Sequence, residues 1–245
     1  MNLLILAAGK SSRIYKKIKK HKCLIRINKK TLISKIIDDA NSLGIKNIYV
    51  VIGFDKEKIK KQLKNKKINF ILNQEYKAKD MLYSMFVGLN KMKDDTIVCY
   101  SDIIFDKDVF KLLALNRNEE IILPILKNWK KVWKLRNKDY FEDAETLNFN
   151  YNNYLTEIGN KIKNLSEVKG QYMGIIYFKK KIIPKILNEF KKIKNNNKMH
   201  ITTFLNKILK NYKIKCKIFN KLWFEFDDIE DLNKFNSKIK TRLEI

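Results

Sequence analysis

From residue 2 to residue 126 the sequence alternates short aliphatic runs with amphipathic stretches, and no other feature narrows the fold as much. "NLLILA", "KNIYVVIG", "INFILN", "TIVCYSD" and "EEIILPIL" read as strands by their length and apolar content. "TLISKIIDDANSLG", "DKEKIKKQLK", "MLYSMFVGLNKM" and "KDVFKLLAL" lie between them with helical spacing. Gly44 closes the first of these helices in the C′ position, and Asp55 opens the second as its N-cap. Parallel neighbours need a long crossover between them, and a helix supplies it. The pattern predicts an α/β chain, a mostly parallel sheet with helices on both faces.

The second half is less regular. "AETLNFN" and "NYLTEIGNKI" predict a hairpin around "YNN", and "GQYMGIIYF" predicts one strand. Two helices, "KIIPKILNEFKKI" and "ITTFLNKILKN", flank a polar linker, "KNNNKM", expected to be mobile. Strands "YKIKCKIF" and "LWFEFD" follow, then a closing helix "DIEDLNKFNSKI" capped by Asp227 or Asp228. With no internal repeat and no linker rich in Pro, Gly or Ser, residues 1–245 read as one domain with an inserted lobe at roughly 125–170.

A hydrophobic content of 45% supports a real core, and no apolar run reaches the length of a membrane span. "LLILAAG" has no basic region ahead of it, so secretion is not expected. Cys23, Cys99 and Cys216 are few, odd in number and far apart, which indicates neither a disulfide framework nor a zinc site. A reducing cytoplasm is the expected location. The net charge of +27 invites a nucleic-acid partner, but of the 53 Lys and Arg residues only Arg13, Arg26, Arg117, Arg136 and Arg242 are arginine. A dedicated reader of phosphates or bases would use more arginine, whose fork grips them bidentately. The excess reads as a solvated lysine coat with no specific nucleic-acid partner, and it attracts anionic substrates.

The first strand runs into "LAAGKSSR". Gly9-Lys10-Ser11 matches the tail of a P-loop, but Leu4 stands where its first glycine belongs, and the strand leaves no room for an encircling loop. A Rossmann fingerprint fails because Gly9 is the only glycine of the turn. What remains is a turn at the C-terminal edge of a parallel sheet, where open α/β sheets bind ligands. Leu6 leads into the small residues Ala7, Ala8 and Gly9, which let the backbone approach a base and phosphates. The amides of Lys10, Ser11 and Ser12 can form an anion nest, with Arg13 and Lys22 supplying mobile positive charge. A plain turn with a surface arginine is the other reading of the same residues.

"LAAGKSSR" followed by "KCLI" resembles the L-A-A-G-x-G-[ST]-R … P-K-x-L pattern of nucleotidyltransferases that activate small phosphorylated compounds. Ser11 replaces the second glycine, as in the molybdenum-cofactor branch, and His21 replaces the proline. The resemblance implies a Rossmann-like nucleotidyltransferase sheet. "YSDIIF" and "WFEFDDIEDL" resemble the stretches carrying the family's two metal-binding aspartates, which implies Mg²⁺ held by Asp102 and Asp227. Taken alone, either aspartate could be a helix cap.

"NWKKVWKLR", "FEDAETL", "LTEIGNKI" and "KGQYMGIIYF" are similar to the phosphocholine and phosphonate cytidylyltransferase-like branch. "DMLYSM" corresponds to its "NMVYSL", placing Asp80 and Ser84 at the nucleotide with Asp80 in place of asparagine. The resemblance implies CMP transfer from CTP to a small phosphate or phosphonate acceptor, releasing pyrophosphate, for decoration of a surface polysaccharide or lipid. Arg13 and Lys22 would be catalytic. Trp129, Trp133, Arg136, Asp143, Glu145, Gln171 and Tyr172 would bind the acceptor, the aromatic and acidic members suiting a cationic head group. Packing in the lobe is the plainer role for the tryptophans. A sugar-1-phosphate nucleotidylyltransferase is the nearest rival, and a basic nucleic-acid-binding module a more distant one.

Overall fold

The computed structural model describes residues 1–115, 118–136, 138–193 and 198–239, so residues 194–197 of the "KNNNKM" linker lie outside it. An eight-stranded, mixed but mostly parallel sheet forms its centre. Asn2–Ala7 is the middle strand, pairing in parallel with Asn47–Ile52 on one side and Thr96–Tyr100 on the other. Asn69–Leu72 extends the sheet beyond Asn47–Ile52. On the other flank Ile175–Phe178 runs antiparallel between Thr96–Tyr100 and Ile121–Leu126, and Lys215–Phe219 closes that edge in parallel.

The middle strand shows why both faces are covered. Leu3, Ile5 and Ala7 enter one apolar cluster and Leu4, Leu6 and Ala8 another, all of them buried. Alternate side chains of a strand point to opposite faces, so a strand that is apolar throughout needs helices above and below. The helices Leu32–Ser42, Lys56–Gln62, Met81–Leu89 and Asp108–Ala114 are those the alternation predicts. Gly44 has φ +82° just past the C-cap Leu43, the left-handed position expected of it. Asp55 occupies the N-cap of Lys56–Gln62, but in the left-handed region (φ 54°) and without capping by its side chain, which pairs with Lys58 at 3.3 Å.

One feature departs from the sequence reading and two go beyond it. "GQYMGIIYF" is broken at Gly174 (φ +72°) into Gln171–Tyr172 and Ile175–Phe178, both paired with Ile121–Leu126. A Cβ at Gly174 would stand 2.8 Å from the Tyr100 ring, so both the turn and the close approach need glycine. Trp223–Glu225, from "LWFEFD", leaves the large sheet to pair with Ile103–Phe105, with Glu225 opposite Ile103. Finally, "KVWK" belongs to a helix, Trp129–Arg136, that the alternation does not reveal. The predicted hairpin is present as Glu145–Phe149 and Leu155–Lys161. Among the described residues no helix is long and apolar enough to cross a membrane.

Candidate active site

The loop after Ala7 emerges at the C-terminal edge of the sheet, beside the end of Thr96–Tyr100. Two residues beyond that strand, Asp102 meets the carboxyl-terminal part of the chain. The small pairing of Ile103–Phe105 with Trp223–Glu225 brings this about, and Phe226 N donates to Asp102 O at 3.0 Å. Asp102, Glu225 and Asp227 thereby offer carboxylate oxygens within 4.8 Å of one another. Glu225 was not among the predicted site residues, yet it stands two residues before Asp227 and faces the same way.

Cations hold this cluster together. Lys22 Nζ lies 2.9 Å from Asp227 Oδ1 and 3.2 Å from Asp102 Oδ2, and Arg13 reaches Asp227 Oδ1 at 3.1 Å. Arg136, whose side chain is fully buried, gives Asp227 Oδ2 a bond of 2.8 Å and grips Asp231 with two more, of 2.9 and 3.0 Å. Its remaining terminal nitrogen has no hydrogen-bond partner among the described residues and stands 3.9 Å from Glu225. Burial disfavours the Asp227 carboxylate, but Lys22, Arg136 and Arg13 outweigh it and hold the group well below the usual range. Glu225 goes the other way, because burial and the charges of Asp227 and Asp102 push its carboxyl up. Burial would lower the Lys22 ammonium, yet Asp102, Asp227 and Glu225 hold it above its ordinary value.

Two cavities meet at the cluster, and both are walled by Asp80, Tyr100, Glu225 and Asp227. The larger, about 570 Å³, takes Leu6, Ala8, Gly9, Lys10, Arg13, Lys22 and Ser84 from the predicted set. Ala7 points to the opposite face, into the core, as strand alternation requires. Ser11 turns its hydroxyl toward the Lys22 amide, and Ser12 begins the helix Ser12–Ile18. The smaller cavity, about 210 Å³, is lined by Trp133, Asp143, Glu145, Gln171 and Tyr172 together with Trp223, which sequence reasoning missed. Trp223 stacks on Trp133 at 6.1 Å, with the rings 9° from parallel. Partial desolvation raises the Asp143 carboxyl above its ordinary value, against the pull of Arg136.

Trp129 and Arg136 do not line either cavity. Trp129 is buried edge-on against Trp133 at 5.6 Å, and Arg136 lies beneath Asp227. The two cavities also differ in charge. Six lysine and arginine side chains among the described residues line the larger one, namely Lys10, Arg13, Lys22, Lys77, Lys79 and Lys198. Among the described residues neither lysine nor arginine lines the smaller one, which carries five carboxylates.

A basic cavity and an acidic one thus meet at a carboxylate cluster on the C-terminal edge of the sheet, sharing Glu225 and Asp227. The MobA-like NTP transferase domain matches residues 3–159, and the chain belongs to that family of nucleotidyltransferases. A CTP:phosphoglutamine cytidylyltransferase of Campylobacter jejuni is 30% identical over 249 residues, covering 95% of this chain and 98% of that protein. Among solved structures, the inositol-1-phosphate CTP transferase of T. maritima superimposes with a TM-score of 0.76 at 18% identity, covering 98% of this chain and 93% of that one. CTP:phosphocholine cytidylyltransferase from Streptococcus pneumoniae gives 0.74 at 16% identity, covering 96% of each chain.

Proposed function

We propose that the chain is a cytidylyltransferase that moves CMP from CTP to a small phosphate or phosphonate whose head group carries positive charge. The observation that carries this reading is the acidic, aromatic cavity. In a chain of net charge +27, a cavity lined by Trp133, Trp223, Asp143 and Glu145 and, among the described residues, by no lysine or arginine selects a cation. A hexose phosphate offers those carboxylates hydroxyl donors but no cation. The 30% identical relative, which carries CTP and phosphoglutamine in its name, supports both the nucleotide and the small phosphorylated acceptor.

In the reaction an ionised oxygen of the acceptor attacks the α-phosphorus of CTP. The bond from that phosphorus to the bridging oxygen breaks, and the electron pair leaves on pyrophosphate. Positioning and charge neutralisation carry the rate of such a transfer. The basic cavity holds the nucleotide, with Arg13 and Lys22 beside the carboxylate cluster to meet the charge that develops on the leaving group. The acidic cavity aims the acceptor from the other side of that cluster. Mg²⁺ suits the oxygen donors Asp102, Glu225 and Asp227, and when bound it would neutralise phosphate charge there.

Pyrophosphate release from each of the four NTPs, against a panel of phosphocholine, aminoethylphosphonate, phosphorylated amino acids and hexose-1-phosphates, tests the reading. CTP with a cationic acceptor should lead, and Asp143→Asn or Glu145→Gln should erode that preference while leaving the KM for CTP in place. Wild-type preference for a hexose-1-phosphate would refute the cationic acceptor and favour the sugar-phosphate reading.

A further inference from the structure

Against the L-A-A-G-x-G-[ST]-R … P-K-x-L pattern the opening motif differs at two positions, Ser11, which the molybdenum-cofactor branch shares, and His21, and each bonds to the other's segment. His21 Nδ1 accepts from Cys23 N at 3.2 Å, which leaves the proton on Nε2 to be donated to Gly9 O at 2.8 Å. Ser11 Oγ accepts from Lys22 N at 3.2 Å. Neither bond is open to the family residues: a proline at 21 has no donor, and a glycine at 11 has no side-chain acceptor.

The backbone fits the same account. His21 has φ −63° and ψ 141°, the conformation a proline ring would fix. Ser11 has φ 53° and ψ 32°, left-handed values that favour glycine and strain a serine. Both residues therefore keep the family's chain path while giving up the intrinsic preference that produced it. The imidazole, 2% exposed, also lies against Phe54 at 6.5 Å, and Phe54 N donates to Ala8 O at 3.1 Å.

We propose that Ser11 and His21 act together as a latch, a pair of positioning residues that orders the nucleotide loop and seats Lys22 before the nucleotide arrives. This rests on the reading that the loop at residues 9–13 receives the polyphosphate. A loop already ordered in the free protein does not have to be ordered on binding, so the latch acts chiefly on nucleotide affinity. Lys22, held through its own amide, keeps its ammonium between Asp102 and Asp227.

The test uses Ser11→Gly, His21→Pro and the double variant, all compatible with the local backbone. His21→Phe, which keeps a ring and loses both bonds, serves if the proline variant is unstable. Ser11→Gly should raise the KM for CTP about fivefold, the worth of one net hydrogen bond, and His21→Pro, which loses two, at least as much, each with a smaller change in kcat. Amide exchange at residues 9–13 should quicken in the free variants, and the double variant should fall short of the product of the singles. The nitrogen spectrum of His21, one of only two histidines, should show a neutral ring protonated at Nε2. Unchanged KM and unchanged exchange in both single variants, or a ring protonated at Nδ1, would overturn the latch. If CTP fails to protect residues 9–13 in the wild type, the nucleotide reading fails instead, and exchange in the free protein still judges the latch.

Discussion

Replacing Arg136 by methionine should unfold this protein more readily than almost any surface change. The guanidinium is fully buried, as is the carboxylate of Asp231 that it grips at 2.9 and 3.0 Å. Methionine fills a similar volume and removes the charge, so Asp231 is left ionised in the interior without its counter-charge. Breaking a buried ion pair from one side costs roughly 3–5 kcal/mol. Asp231 keeps bonds from the amides of Asp227 (2.8 Å) and Asp228 (3.3 Å), which places the expectation at the lower end. For a chain of this length about 3 kcal/mol corresponds to a Tm lower by roughly 6–12 °C. Arg136→Lys should fall between, since an ammonium cannot serve Asp227 and Asp231 with the same fork. Urea unfolding followed by fluorescence and circular dichroism gives the free energies directly. A methionine variant within about 1 kcal/mol of wild type would refute the claim that this pair is dry and mutually dependent.

Other outcomes follow from the same geometry. Asp102→Asn and Asp227→Asn should each lose most turnover at saturating Mg²⁺, and near-normal activity in either would remove that residue from the metal site; Asp227→Asn, which takes a counter-charge from Lys22 and buried Arg136, should also lower the unfolding midpoint. Arg13→Ala should lower kcat more than it raises the KM for CTP, with a loss on the order of 3 kcal/mol if it meets charge in the transition state; a pure KM effect would make it a binding residue only. Burial holds the His21 imidazole below its ordinary value, so its neutral form adds stability that is present above about pH 6.5 and is lost as the pH falls. The stability difference between wild type and His21→Pro should therefore shrink on acidification, and a pH-independent difference would contradict this. Raising ionic strength should weaken CTP capture by the lysine-rich surface but leave the ratio between cationic and sugar acceptors nearly unchanged, since enclosed contacts are screened far less.

The sheet was legible because its signal is strong and local: aliphatic runs with helical stretches between them admit few other folds. Asp102 and Asp227 were legible only through motif resemblance, since no periodicity says that residues 102 and 227 meet. Glu225 and Trp223 carried a readable signal that went unused. In "LWFEFDD" the residues Trp223, Glu225 and Asp227 alternate with Phe224 and Phe226, and the two phenylalanines enter a separate apolar cluster. A strand of period two therefore puts the tryptophan and both acids on the side of the site. Arg136 was harder. In a helix Trp129, Trp133 and Arg136 share one face, but only Trp133 reaches the cavity, and a burial that depends on Asp231 cannot be read from "WKKVWKLR". Asp55 resembles a cap in sequence, but its left-handed backbone turns the carboxylate to Lys58 instead.

Charge works on two scales in this molecule. The surface excess of +27 is diffuse and largely screened beyond about 8 Å at physiological salt, so it can gather anions but cannot choose among them. Choice needs groups that a bound substrate touches out of water, where the same charges interact several times more strongly. The two cavities place such groups on either side of the carboxylate cluster, and the function proposed above puts the polyphosphate on the basic side and the acceptor on the acidic one. Both substrates are anionic at their reacting ends, so a single basic pocket would let them compete for the same place. On that proposal the acidic pocket repels the triphosphate and favours a phosphate that brings its own cation. On the proposed reading, the sorting of charge gives the two substrates opposite sides of the carboxylate cluster, the arrangement that in-line attack on the α-phosphorus requires.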